Sequence, residues 1–488
     1  MRDGTSTADG LDGLDRPHSL DGGRLSARTA TELSRLLRSG EVSAVEVLSD
    51  HLARLDEANG AINAVVNIDA DGAMREAQRA DRAREAGAPL GPLHGLPISI
   101  KDTASTTGFP TTSGSPRHAN DVATADDLHV ARIRAAGAVR IGKTNVPEHA
   151  AGSNTFNTLF GPTRNPYDLT RSVGGSSGGA AAALAAGFQP IADGSDMGGS
   201  LRNPAAFCNV VGFRPTPGVV PNTSTDVLST LTVTGPLART VDDVALLLSV
   251  MAGPDARDPL SYAAPTIDAP VQAVPLSGLR IALAPTLGGR TRVDPEIVES
   301  VERAARLLED AGAEIVEVAP DLDGSVEAFR TLRAAEFFDA FGEDLDAGTE
   351  SFVDFLAANI EEGRRLTAVD VLRAQQVQTR LVREAARFFD DVDVLLSATT
   401  SVLPFVVEDR FPRAVAGEPT TDYLSWMEPC LALTPLGVPG ISVPNGFSAS
   451  GLPIGLQLTA GPRRDARLLG IARSVVDVLP PSIRPLAV

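Results

Sequence analysis

Lysine is nearly missing from this sequence. Among its 43 basic residues only Lys101 and Lys143 are lysines, and the rest are arginine. Codon bias in a GC-rich genome would produce such an excess of arginine. Arginine keeps its proton in a protein whereas lysine can lose it, so each retained lysine is a candidate neutral amine. Cysteine is equally scarce. Cys208 and Cys430 cannot build a disulfide framework, fit a reducing compartment, and exclude a zinc site made of three or four cysteines. No run of 18 apolar residues is present, so no membrane-spanning helix is expected. Residues 1–24 lack the apolar segment of a secretory signal. Positive charge is also in deficit: 43 Lys+Arg stand against 62 Asp+Glu, a net charge of −19. That balance argues against unaided binding to nucleic acid or anionic lipid, although a partner protein could supply either. The expectation is a cytoplasmic protein with no nucleic-acid or membrane partner.

What is present is a long chain of ordinary globular composition. It has 488 residues, 43% hydrophobic and 22% charged, enough to bury a large core without staples. Residues 1–24 carry Asp-Gly pairs at Asp3, Asp9, Asp12 and Asp21 and read as a disordered tail. Thr29 caps a first helix that ends near Gly40. Ser43 and Glu46 form a capping box for a second, with Val45, Leu48, Leu52 and Leu55 at helical spacing. Residues 63–68 read as a strand, 72–87 as a helix, 96–100 as a buried strand ending at Lys101, 125–136 as a helix and 138–141 as a strand. Further on, strands are expected at 279–284, 313–318, 393–398, 441–443 and 454–458, with helices over 294–312 and 464–478. Residues 325–390 read as a helical, acidic insert with a stripe of phenylalanines that packs in the core or lines a substrate channel. The alternation predicts an α/β fold with strands buried on both faces. No repeat or linker is visible, so residues 25–488 read as one domain.

Two Gly-Ser clusters carry the chemistry. Gly174-Gly-Ser-Ser-Gly178 matches the G-x-S-x-G elbow of α/β-hydrolases, which needs a histidine after the serine. The six histidines are His18, His51, His94, His118, His129 and His149, and none follows Ser176. The zincin and Walker A patterns are absent. Ile98 and Arg140 stand three residues before the lysines, so no S-x-x-K pair exists either. Serine-lysine chemistry remains. A serine hydroxyl needs a base, and a buried lysine becomes one if its pKa falls from about 10.4 towards 7–8. In the second cluster, Ser195 to Ala205, two glycines precede Ser200. They free the backbone to aim successive N–H groups into one hollow that can hold an oxyanion. Asp196 and Arg202 read as an ion pair bracing that loop.

Several segments in fixed order resemble the amidase signature family of Ser-cisSer-Lys hydrolases, over about residues 27–478. They are Gly95-Leu-Pro-Ile-Ser-Ile-Lys101-Asp102, Gly142–Glu148, Gly161–Pro166, Gly174–Gly179, Ser195–Ala205 and Gly451-Leu-Pro-Ile-Gly-Leu-Gln457. The resemblance implies a mixed, twisted β-sheet core covered by helices on both sides. It implies Ser200 as nucleophile, Ser176 as a bridge passing protons between Ser200 and neutral Lys101, and the N–H groups of Met197, Gly198, Gly199 and Ser200 as the oxyanion hole. It implies no metal or cofactor and is compatible with a homodimer. Ser177 is the alternative to Ser176, with bonding within the loop as its expected part. Lys143 is expected to hold structure and Cys208 to pack behind the site. Residues 149–155, with Ala150, Ala151, Gly152 and Ser153, are expected to line the acyl pocket, together with Ser195. These residues are small and mostly uncharged, which suits a small or flat neutral group. Met197 and Asn203 depart from the commonest family pattern and bear on substrate choice.

Two activities fit the resemblance. One is a stand-alone amidase acting on aryl or small neutral carboxamides, with esters and carbamates (urethanes) also open. The other is the glutaminase component of a glutamyl-tRNA(Gln)-type amidotransferase, its A subunit. That component usually carries Tyr-Gly-Arg after its Pro-Thr, where this chain has Phe213-Arg-Pro-Thr-Pro-Gly-Val-Val220. No obvious clamp for the carboxylate of free glutamine is visible, although Arg410 or Arg413 could serve. A degenerate binding protein would require loss of Lys101, Ser176 or Ser200, and all three are present.

Overall fold

The computed structural model describes residues 23–264, 266–348, 352–480 and 486–487. The expected tail at 1–24 lies, except for its last two residues, outside the described residues. Helix α1 (Ala30–Ser39) has a full capping box from Thr29 and Glu32 and stops at Gly40, which takes the left-handed conformation (φ +75°) that glycine adopts without strain. Helix α2 (Ala44–Ile62) starts on the Ser43/Glu46 box. The strand expected at 63–68 shrinks to β1 (Val65–Val66), because Asn63 and Asn67 on either side have positive φ and turn the chain out of the extended path. Then follow α3 (Ala70–Glu85), β2 (Pro97–Lys101), α4 (Leu128–Ala135) and β3 (Val139–Thr144). β3 pairs with β1 antiparallel and with β2 parallel in a three-stranded sheet.

Helix α5 (Gly178–Ala185) is buried at every residue, as a helix apolar on all sides must be. Its small side chains are a packing requirement. A Cβ on Gly179 would lie 2.4 Å from the Asn145 amide nitrogen and 2.7 Å from the Ala64 carbonyl oxygen. The chain continues through β4 (Ile191–Asp196), α6 (Arg202–Phe207), β5 (Val211–Arg214), β6 (Val233–Ala238) and α7 (Val241–Met251). Sequence periodicity did not reveal β4, β5, β6 or α7. The strands are short and buried on both faces, so they carry no alternation to read. Next come β7 (Arg280–Leu283), α8 (Pro295–Asp310), β8 (Glu314–Val316), α9 (Ser325–Ala347), α10 (Asp354–Arg364), α11 (Ala368–Asp391), β9 (Val394–Ala398), β10 (Gly440–Phe447), β11 (Pro453–Ala460) and α12 (Asp465–Val478).

The large sheet has eight strands in the order β8-β7-β9-β11-β10-β5-β6-β4. β7 runs parallel to β8 and β9, and the remaining pairs are antiparallel. Helices cover both faces, as alternation along the strands shows. Ile281, Val394 and Leu396 join the core that includes α8 and α12. Their neighbours Ala282 and Leu395 join a second core with Leu381 and Phe389 of α11. The two sheets meet at β2 and β4 through side chains. Gln189 Oε1 accepts the Ser99 N–H at 2.7 Å, and Asp193 Oδ1 accepts the Lys101 N–H at 2.9 Å. This seam brings Lys101 beside the Gly-Ser clusters. Among the described residues no helix is long and apolar enough to cross a membrane.

Candidate active site

Both lysines are buried, and they differ in surroundings. Lys101 ends β2 with 1% exposure. Its Nζ lies 2.9 Å from each of three hydroxyls, Ser176 Oγ, Ser177 Oγ and Ser195 Oγ. No carboxylate forms an ion pair with it among the described residues. Burial pushes its pKa from 10.5 down to about 7, against the pull of Asp193 and Asp196 towards the charged form. A neutral amine then offers two N–H donors and one lone pair to three hydroxyls, so one hydroxyl can donate to it. Lys143 Nζ instead donates to the Ala104 carbonyl at 2.5 Å and to Thr106 Oγ1 at 3.0 Å. It ties the chain after β2 to β3, the structural part expected of it.

Ser176 follows a cis peptide from Gly175 and precedes α5. Ser200 follows β4, with 8% exposure. Both line one cavity of about 560 Å³. The two clusters are also linked by backbone, since the Ser177 N–H donates to the Ser200 carbonyl at 3.3 Å. Among the described residues no hydrogen bond joins the Ser176 and Ser200 hydroxyls. Ser177 braces the loop as expected, bridging Lys101 to the Ser195 backbone, but it also touches Lys101 directly, which the sequence did not reveal.

The loop before Ser200 is held from below. Asp196 receives Arg202 Nε at 3.0 Å and Arg202 Nη2 at 2.9 Å, a two-pronged buried pair. Burial alone would raise the Asp196 carboxyl, but Arg202 and then Arg214 outweigh it and hold the group well below the usual carboxylate range. Arg202 Nη1 reaches on to Gln457 Oε1 at 2.8 Å, so the closing Gly451–Gln457 segment works by supporting the brace. Arg214, which donates to the Asp196 carbonyl, was not singled out from sequence, because nothing local marks it.

Three sequence expectations need correction. The Gly199 N–H donates to Asp196 Oδ1 at 2.8 Å, so it is engaged within the loop rather than available to an oxyanion. Ala151 does not line the cavity; it is fully buried against Phe352, Leu356 and Ile360. Ser153 does not line it either; its hydroxyl donates to the Tyr423 carbonyl at 3.2 Å and accepts the Trp426 indole N–H at 2.7 Å. Ala150, Gly152 and Ser195 do line the cavity. His149 and Ala150 reach it through positive φ, which turns consecutive side chains to different sides. Cys208 is buried in the core and its Sγ lies 3.9 Å from the Val173 carbonyl.

The far wall comes from residues that carried no motif. Phe329, Arg333, Glu336, Phe337 and Phe341 of α9 line the cavity with Tyr423, so part of the phenylalanine stripe faces the cavity that holds Ser200. Arg410 and Arg413 do not. They are exposed and pair with Asp354 at 3.6 Å and Asp409 at 3.0 Å. Among the described residues no group of His, Cys, Asp and Glu could hold a metal ion.

A buried lysine of lowered pKa among serine hydroxyls, two of which line a cavity that also holds Ser200, is an arrangement suited to acyl transfer. The amidase family model matches residues 46–469. An acylamidase of Rhodococcus erythropolis is 39% identical over 93% of this chain and 95% of its own length. The A subunit of the glutamyl-tRNA(Gln) amidotransferase of Salinispora tropica is 37% identical over 94% of this chain and 99% of its own length. Among solved structures, a bacterial aryl acylamidase superposes with a TM-score of 0.87 at 28% identity, covering 92% of this chain and 96% of that one. The chain therefore belongs to the amidase signature family and has its α/β fold. It is an amidohydrolase, acting on amide bonds.

Proposed function

We propose that this chain is a stand-alone acylamidase that hydrolyses aryl and small neutral carboxamides through an acyl-enzyme on Ser200. The observation that carries the reading is Lys101, a buried amine with three hydroxyls at 2.9 Å, two of which, Ser176 and Ser195, line the cavity that holds Ser200. Neutral Lys101 takes a proton from Ser176 as Ser176 takes one from Ser200. The Ser200 Oγ then attacks the amide carbon. Ser200 must turn onto Ser176 for this, a contact of the kind that tightens when substrate is bound. The N–H groups of Met197, Gly198 and Ser200 take the negative charge on the carbonyl oxygen, each donor being worth about 3–4 kcal/mol of barrier. Lys101 returns its proton through Ser176 to the leaving nitrogen, the C–N bond breaks, and the amine departs. Water then attacks the acyl group, passing its proton along the same relay to restore Ser200. No step calls for a metal or cofactor.

Arg410 and Arg413, the arginines the sequence offered as a carboxylate clamp, are exposed and lie outside the cavity lining, which supports this reading over an amidotransferase glutaminase; Arg333, which does line the cavity, stacks on Phe337 and donates to the Tyr423 hydroxyl. The test is hydrolysis by the purified chain of chromogenic anilides, esters and carbamates alongside glutamine, with Ser200→Ala in parallel. Anilide turnover that disappears in the variant is expected. Glutamine turnover only after addition of a partner protein would favour the amidotransferase, and activity surviving Ser200→Ala would overturn the mechanism.

A further inference from the structure

The cavity extends from Ser200 to α9 and to the loop at 221–232, where it holds a carboxyl group that the acyl-transfer steps do not use. Glu336 is half-buried on α9, and its Oε1 accepts the Ser229 hydroxyl at 2.6 Å. Its Oε2 has no described protein partner, and no cation lies within ion-pair distance among the described residues. Arg333, one turn earlier on the same helix, makes no ion pair with Glu336 and keeps one buried guanidinium nitrogen, Nη1, without a hydrogen-bond partner. Its guanidinium lies 3.8 Å from the centre of the Phe337 ring and donates to the Tyr423 hydroxyl. Asp226 accepts the Ser229 N–H at 3.2 Å and adds a second carboxylate to the same wall.

We propose that Glu336 is the specificity-determining residue of this cavity, accepting a hydrogen bond from an amine on the part of the amide substrate remote from the scissile bond. The proposal rests on Ser200 being the nucleophile of the same cavity. A carboxyl oxygen with no protein partner, in the wall of the cavity that holds Ser200, is open to a donor the substrate brings. Burial raises Glu336 to about 7, with Ser229 opposing, Asp226 adding and Arg333 opposing. Glu336 therefore passes from neutral acid to anion across neutral pH. The other titratable groups of the cavity wall are Asp127, His129, His149 and Tyr423. Preference for an ammonium-bearing substrate should rise with pH as the carboxylate forms.

The test uses two 4-nitroanilides of equal length, one ending in a primary amine and the other in methyl. The ratio of their kcat/KM values, from pH 6 to 8.5, cancels the titration of Lys101, which both substrates share. In the unaltered enzyme the ratio should move about tenfold towards the amine, and in Glu336→Gln it should stay flat. The Ser200→Ala protein provides a second reading, since its Kd ratio for the same anilides should shift likewise without turnover. A ratio independent of pH, or the same slope in Glu336→Gln, overturns the role of Glu336. Absence of turnover with the Kd ratio still shifting would instead overturn the reading of Ser200 and leave Glu336 as the binding group.

Discussion

Replacing Lys101 by methionine should inactivate the enzyme and, at the same time, change the pH dependence of its stability. Burial lowers Lys101 from 10.5 to about 7, so the folded state holds its proton less tightly than the unfolded chain. For a lysine with a depressed folded value the penalty is complete below pH 7 and fades as pH rises from 7 to 10.5. With about 1.4 kcal/mol for each tenfold change in proton affinity, it amounts to about 4–5 kcal/mol at pH 6.5 and about 1–2 kcal/mol at pH 9.5. Methionine escapes that penalty but deprives Ser176, Ser177 and Ser195 of a partner, at about 1 kcal/mol each. Lys101→Met should therefore be the more stable protein at pH 6.5 and the less stable at pH 9.5, with the difference moving by about 3 kcal/mol. Urea unfolding of both proteins at the two pH values reads this directly. In the unaltered enzyme kcat/KM for a neutral anilide should fall about tenfold from pH 8 to pH 6 as Lys101 takes up its proton. A stability difference that ignores pH would refute the claim that Lys101 is held as a near-neutral amine. So would a rate still climbing past pH 10.

Arg202→Met should cost about 3 kcal/mol and most of the activity, because it leaves the buried Asp196 with Arg214 alone; urea unfolding and anilide turnover check both. Gly179→Ala should destabilise by about 1–3 kcal/mol or prevent folding, since the new methyl meets backbone of Asn145 and Ala64. Gly60→Ala in α2, where nothing lies within 4 Å, should instead stabilise by about 0.5–1 kcal/mol, and thermal unfolding of the pair separates the two cases.

Much of the molecule was legible in the sequence because its signals are local. The boxes Thr29/Glu32 and Ser43/Glu46 close within one turn, so they place α1 and α2 without help from the rest of the chain. The scarcity of lysine marked Lys101 and Lys143 alike before any motif did, and burial gives that hint its physical content. The Gly-Ser clusters and the Asp196–Arg202 brace were readable for the same reason, since the residues of each cluster or pair lie a few positions apart. Expectations failed where a group had several neighbours to choose from. Gly199 was assigned to the hollow by its place in a run of glycines, but Asp196 Oδ1, three residues back, captures its N–H. Ala151 and Ser153 share a segment with Ala150 and Gly152, yet successive residues after a left-handed turn face different sides, and aromatic neighbours from distant segments claim them.

By itself, then, the sequence determined the family, the short-range caps, and which serines and which lysine could work together. The tertiary structure alone decided that Ser177 and Ser195 surround the amine as closely as Ser176, that Arg214 and Gln457 hold the brace, and that α9 contributes Glu336 to the cavity. The physical reason is reach. A cap or a glycine turn is a contest among atoms a few bonds apart, which composition and order settle. A buried side chain chooses its partner from whatever the folded sheet and helices bring within about 3 Å.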